Sequence, residues 1–209
     1  ISEPYSINAY SDRVLLSSQK DSNPYPKVAV YIENDFNEKW FNDPSFRQIN
    51  EEEYRHIESN CSPFKVEISH YISEKSFINP MYKKEVSLFR RLSEKHLAGI
   101  ITTNYDEFLE KSTDNYRCFS SQDDLLSTSA QGVAEIYKIH GSVKYPASIV
   151  ITETDYLSYR QKRKYLTAKL MTLFVENPIF FIGYSLNDQN INDILLDIVE
   201  TIPSERLSY

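Results

Sequence analysis

Three short runs of this sequence carry polar side chains whose combination could do chemistry. They are Thr102-Thr103-Asn104-Tyr105-Asp106, Lys138-Ile139-His140-Gly141-Ser142, and Ile182-Gly183-Tyr184-Ser185-Leu186-Asn187-Asp188. Each has an ordinary structural explanation on its own. Asn and Asp cap helices at strand-to-helix junctions, a lone His at a strand end is commonly a satisfied polar residue, and a glycine there supplies a positive φ or close packing. Together they offer one amide, one imidazole that titrates near neutral pH, a serine, and two glycines that allow close backbone approach. That set suits a nucleotide whose ribose has to be polarised.

The elements that must position these runs are legible from apolar periodicity. Leu97 to Thr103, Ala134 to His140 and Pro178 to Tyr184 read as buried strands, the last the clearest of the three, and Ser148 to Ile151 as a further short one. Helices are expected from Asp106 to Lys111, as one long element from Thr154 to Val175, and from Asp188 to Val199. Strand alternating with helix predicts a parallel sheet with helices on both faces, an α/β Rossmann-like fold. In such sheets ligands sit beyond the carboxyl ends of the strands, where all three runs would fall.

The first half reads differently. After a loop-like stretch over 1–24, the spacing of Val28, Tyr31, Ile32, Phe36 and Trp40 predicts a helix that starts near Pro26 and stops at Asp43-Pro44. Further helices follow over Glu51–Ser59, Val66–Phe77 (Ile68, Tyr71 and Ile72 on one face) and Glu85–Lys95 (Val86, Phe89 and Leu92 inward). The expected organisation is one domain over 1–209, with a helical module at 24–80 and a Rossmann-like part at 85–209.

Composition narrows the function classes. The chain has 209 residues, 41% hydrophobic and 25% charged, with a mean hydropathy of -0.49. That is enough to bury a sizeable core. No apolar run reaches the length of about 18 residues that a membrane helix needs, and no signal peptide is visible. Lys and Arg number 23 against 30 Asp and Glu, a formal charge of -7, which argues against a general nucleic-acid binder. Cys61 and Cys118 are too few and too far apart for a zinc site, and they read as the reduced thiols of a cytoplasmic protein. His56, His70 and His96 lack metal-ligand spacing, so no metal is expected. The basic run Arg160-Gln161-Lys162-Arg163-Lys164 reads as a solvated helix face, with contact to an acidic partner or nucleic acid as the alternative. The 16 tyrosines exceed core needs, and an assembly interface would use some of them.

TTNYDEFLE, KIHGS and FFIGYSLND, in that order, resemble the SIR2-like family, and more narrowly the bacterial SIR2-like domains associated with anti-phage defence. The likeness is firm over residues 85 to 200 and loose before them. It implies a Rossmann-like domain that takes NAD+ as substrate and breaks the nicotinamide–ribose bond, an NAD+ nucleosidase. Asn104 and His140 would be its catalytic pair, the first positioning water and ribose and the second acting as general base. Thr103, Asp106, Gly141, Ser142, Gly183, Ser185 and Asp188 would line the nucleotide. The resemblance also implies a homo-oligomer, and a partner such as a HerA-type ATPase, an Argonaute-like protein or a fused sensor domain.

Two departures bear on this reading. Thr103 stands where sirtuin deacylases have Gln, and their four-cysteine zinc module cannot be built here; both disfavour protein deacylation. The family's glycine-rich pyrophosphate loop is not found among Gly99, Gly132, Gly141 and Gly183. The chain also begins at Ile1 rather than a methionine, so the expectation is a fragment: the phosphate loop either precedes Ile1 or was lost, and the chain alone hydrolyses little NAD+. A nucleotide-holding module without turnover stays open as an alternative.

Overall fold

A computed structural model of the chain describes residues 24–47, 50–127, 134–184 and 188–201. Helices α1 (Tyr25–Asn42), α2 (Glu51–Glu58), α3 (Pro63–Lys75) and α4 (Lys83–His96) come first, with short 3-10 turns at Pro44–Phe46 and Pro80–Tyr82. The α/β part then runs β1 (Gly99–Thr102), α5 (Phe108–Ser112), β2 (Arg117–Phe119), α6 (Gln122–Ser127) and β3 (Glu135–Lys138). After a 3-10 turn at Pro146–Ser148 it continues through α7 (Glu153–Lys162), α8 (Lys164–Glu176) and α9 (Gln189–Thr201).

The three strands form one parallel sheet in the order β1-β3-β2. The fold is therefore a mixed α/β, Rossmann-like one. The register pairs Gly99 with Glu135 and Thr102 with Lys138 on one side of β3, and Arg117 with Glu135 on the other. As the central strand, β3 is buried at all four positions. One face of the sheet is closed by α6, α8 and α9, whose Leu125, Leu166, Leu170, Ile191, Ile194 and Ile198 pack with Phe119, Tyr137 and Ile139. Burial of each such side chain stabilises the fold by roughly 1.5–3 kcal/mol relative to leaving it in water.

The N-terminal helices meet this part through an ion pair. The Lys65 ammonium of α3 lies 2.6 Å from Asp155 Oδ1 and donates to the Ile149 carbonyl at 2.9 Å. Asp155 also closes a capping box with Thr152 at the start of α7. Burial raises its carboxyl pKa, but Lys65 and the N–H groups of Thr152 and Ile151 outweigh that and hold it below the ordinary value of 3.8.

Several expectations need correction. The helix expected over 154–175 is two helices, broken at Arg163, whose φ of -127° and ψ of 36° are non-helical. Ser148 to Ile151 is the end of a 3-10 turn followed by extended chain, not a strand. Pro178 to Tyr184 forms no strand with any described residue. Its apolar content is strand-like, but a ladder needs a neighbour, and with none there Phe180 and Ile182 stay 82% and 88% exposed. Phe181 stacks against Phe174 and Tyr184, and Tyr184 packs on the core. On α3 the inward residues are Lys65, Val66 and Ser69, while Tyr71 is exposed. On α4 Leu92 is exposed and Ser93 buried, where Tyr116 reaches over to bond the carbonyls of Ser93 and Leu97.

Candidate active site

Asn104 and His140 leave adjacent parallel strands. The ladder pairs Thr102 with Lys138, and the Ile139 N–H donates to the Thr102 carbonyl at 2.9 Å. Two residues further on, the same register sets Asn104 and His140 on one rim of the sheet, at the carboxyl ends of the strands.

The two turns are then tied together. Lys138 is fully buried, and its ammonium donates to the carbonyls of Tyr105 and Asp106 and to Glu110 Oε1 at 2.8 Å. The Val143 N–H donates to the Tyr105 carbonyl at 3.0 Å, and the Tyr105 hydroxyl to the Val150 carbonyl at 2.7 Å. Burial, reinforced by Asp155 and Asp188, pushes that phenol up to about 12, so it stays a neutral donor. Asn104 itself is exposed, with its backbone N–H on Thr102 Oγ1. The Asn104 turn is thus fixed by β3 and the loop beyond it, and its amide faces solvent.

His140 is enclosed. It is 4% exposed, with the rings of Tyr156 and Tyr159 edge-on at 5.5 and 6.4 Å. Its Nε2 lies 3.0 Å from Asp188 Oδ2 and 3.4 Å from Asn190 Nδ2. Burial raises the Asp188 carboxyl, but its bond to His140, the His140 charge and the N–H groups of Ile191 and Asn190 hold it below the usual carboxylate range. A carboxylate on one imidazole nitrogen fixes the ring's orientation and tautomer.

The remaining residues sort by place. Gly141 has φ +91°, and a Cβ there would lie 2.2 Å from the Ser148 carbonyl oxygen. The glycine lets the loop close on itself behind His140. The Ser142 N–H donates to Ser148 Oγ at 3.0 Å. Ser142 also lines a cavity of about 260 Å³ along the edge strand β2, shared with Glu110, Arg117, Cys118, Ser120 and Tyr145; neither Asn104 nor His140 lines it. Asp106 Oδ1 accepts from the Phe108 N–H at 2.8 Å, the cap-like role open to it from sequence. Thr103 is half-buried between the strand and Asn104. Gly183 has φ +62° and open space around it, on a segment that is not a strand. Ser185 lies outside the described residues. Asp188 reaches the site from the start of α9 rather than from a strand end.

Sequence reasoning missed Asn190, Tyr156 and Tyr159. The Asn/Asp-rich start of α9 was a signal for the first; nothing in the spacing marks the tyrosines as neighbours of His140. Among the described residues no group of three or more His, Cys, Asp or Glu is arranged to hold a metal ion, and no helix is long and apolar enough to cross a membrane.

The parallel sheet thus carries Asn104 and a carboxylate-held His140 at one rim. The model of the SIR2-like domain matches residues 98–208, a little over half of the chain, and the chain belongs to that family. It is 28% identical over 124 residues to defense-associated sirtuin 2 of Bacillus subtilis, covering 56% of this chain and 11% of that protein. It is 33% identical over 98 residues to the NAD(+) hydrolase ThsA of Acinetobacter baumannii (45% of this chain, 20% of that protein). With ThsA of Bacillus cereus the identity is 31% over 98 residues (45% and 21%). The matched stretch therefore spans about a fifth or less of each of these relatives.

Proposed function

We propose that this domain hydrolyses NAD+ at the nicotinamide–ribose bond, releasing nicotinamide and ADP-ribose, as an NAD-depleting effector of anti-phage defence. The observation that carries the reading is the placement of Asn104 beside the His140–Asp188 pair on one rim of the sheet. Family membership and the names of the relatives, NAD(+) hydrolase and defense-associated sirtuin, support it.

In the proposed reaction the C1′–N1 bond breaks and nicotinamide leaves with the bonding pair. The oxocarbenium-like ribose is stabilised by oriented polar groups, which act strongly where water is excluded. Asn104 orients the ribose and the attacking water. With Nε2–H donated to Asp188, His140 Nδ1 carries the lone pair and takes the proton as the water oxygen bonds C1′. The balance is NAD+ and water to nicotinamide, ADP-ribose and one proton. The reading is tested by incubating the full-length protein with NAD+ and separating the products. Equimolar nicotinamide and ADP-ribose support it, and no release sinks it.

A second reading rests on one observation: His140 is 4% exposed beneath its tyrosines. A domain that holds a nucleotide without turnover keeps such a residue as a packed structural group. NAD+ binding with no nicotinamide release favours this reading. Deacylation is disfavoured, since the two cysteines cannot supply a four-thiolate zinc site.

A further inference from the structure

The loop that carries His140 leaves β3 at Lys138 and returns at Val150, whose N–H donates to the His140 carbonyl at 2.9 Å. Inside it, Ser148 Oγ accepts from the Ser142 N–H and donates to the Tyr145 carbonyl at 2.6 Å. Two carbonyls that bracket the imidazole, those of Ile139 and Ser148, point away from these bonds and find one partner between them. Arg163 Nη1 lies 2.7 Å from the Ile139 oxygen and Nη2 2.6 Å from the Ser148 oxygen. The guanidinium plane also lies over the Tyr159 ring, 5.2 Å from its centroid, and that ring is edge-on to His140.

The helix break described above explains how Arg163 gets there. Arg163 is both the C-cap of α7 and the residue before α8. A continuous helix would carry it round the axis with its neighbours. Arg160, in the same basic run, instead pairs with Asp197 on the surface. One residue of a run that reads as solvated is thus turned inward. The planar fork of an arginine matches two carbonyls at once, whereas a lysine offers a compact point charge. Ile139 is 1% exposed, so its carbonyl depends on this partner. A buried carbonyl left unpaired is costly, and the loop would shift to satisfy it.

We propose that Arg163 is a positioning residue: it clamps both stems of the His140 loop and sets where the imidazole stands relative to Asp188 and Asn104. This rests on the reading of His140 as the general base of NAD+ hydrolysis. Displacement of a reacting group by about 1 Å costs on the order of 100-fold in rate. In the full-length protein, Arg163→Met is expected to lower kcat by about tenfold or more while KM changes less than about twofold. Arg160→Met is the control and leaves both unchanged. Millimolar ethylguanidinium is expected to restore part of the kcat lost in Arg163→Ala, whose truncation leaves room for it, and Arg163→Lys to fall between wild type and Arg163→Met.

The His140 ring resonance, followed by NMR, is a readout that does not need turnover. It is expected to move in Arg163→Met and stay in Arg160→Met. Should Arg163→Met not accumulate as folded protein, Arg163→Lys carries the same comparisons. The proposal is overturned if the Arg163 variants keep wild-type kcat, or lose it with the His140 resonance unmoved and no response to ethylguanidinium. If the wild type releases no nicotinamide, the NAD+ reading fails, and the resonance comparison alone decides the clamp.

Discussion

Asp188 divides its two carboxylate oxygens between two tasks. Oδ2 holds His140 Nε2 at 3.0 Å, and Oδ1 accepts the Ile191 N–H at 3.1 Å at the start of α9. The helix start and the imidazole are therefore fixed by the same side chain, and the positive end of the helix dipole favours its charge.

The two tasks separate by substitution. Asn caps a helix about as well as Asp but carries no charge. Asp188→Asn is expected to keep most of the stability while NAD+ turnover falls by about tenfold or more. Asp188→Ala loses the cap as well and is expected to be less stable than Asp188→Asn by about 1 kcal/mol. Thermal melts beside nicotinamide release check both, and wild-type turnover in Asp188→Asn would contradict the role of the pair.

Gly141 and Gly183 make a contrasting pair. Gly141→Ala places a Cβ 2.2 Å from the Ser148 carbonyl oxygen at a φ of +91°, and is expected to cost roughly 3 kcal/mol. Gly183→Ala meets nothing within 4 Å at φ +62°, and is expected to cost about 1 kcal/mol from backbone strain alone. Denaturant midpoints of the two variants test this. Equal losses would mean that the Gly141 loop can relax.

The sequence made the strands β1 and β3 legible because they are short apolar runs ending in polar residues, and the shared rim of Asn104 and His140 follows from them. It hid β2, since Arg117–Phe119 is three residues with one apolar side facing the core. It overstated 178–184, because composition reports strand propensity but not whether a pairing partner exists. It also merged α7 and α8, as no Gly or Pro marks the break at Arg163. The His140–Asp188 contact was out of reach for a different reason: Asp188 reads as a cap from sequence, and only packing of α9 brings its second oxygen to the imidazole.

Stability is expected to depend on pH through Asp155. Its folded-state carboxyl lies below 3.8, so its contribution is full above about pH 4 and is lost as pH falls through the depressed value. Asp155→Asn strands the Lys65 ammonium, whose side chain is only 11% exposed, and is expected to cost about 2 kcal/mol at pH 7. The gap between variant and wild type should narrow as pH falls below about 4 and close only below the depressed value, where the folded wild type protonates the same carboxyl. Urea titrations at a series of pH values from 7 downward measure it. A gap that does not narrow as pH falls would place the loss elsewhere.

Burial changes which variants test the proposed catalytic pair. Read as a strand-end residue, His140 looks removable without a core cavity, but at 4% exposure its replacement by Ala leaves a void and an unpaired Asp188. His140→Gln keeps most of the volume and a donor for Asp188, and Asn104→Ala removes an exposed amide.

The most direct measurement is the initial rate of nicotinamide release from NAD+ by the full-length wild type, Asn104→Ala and His140→Gln, with melting temperatures recorded alongside. The account predicts release by the wild type and a loss of about 100-fold or more in each variant, with Asn104→Ala melting as the wild type does. Near-wild-type release by folded Asn104→Ala or His140→Gln would contradict it.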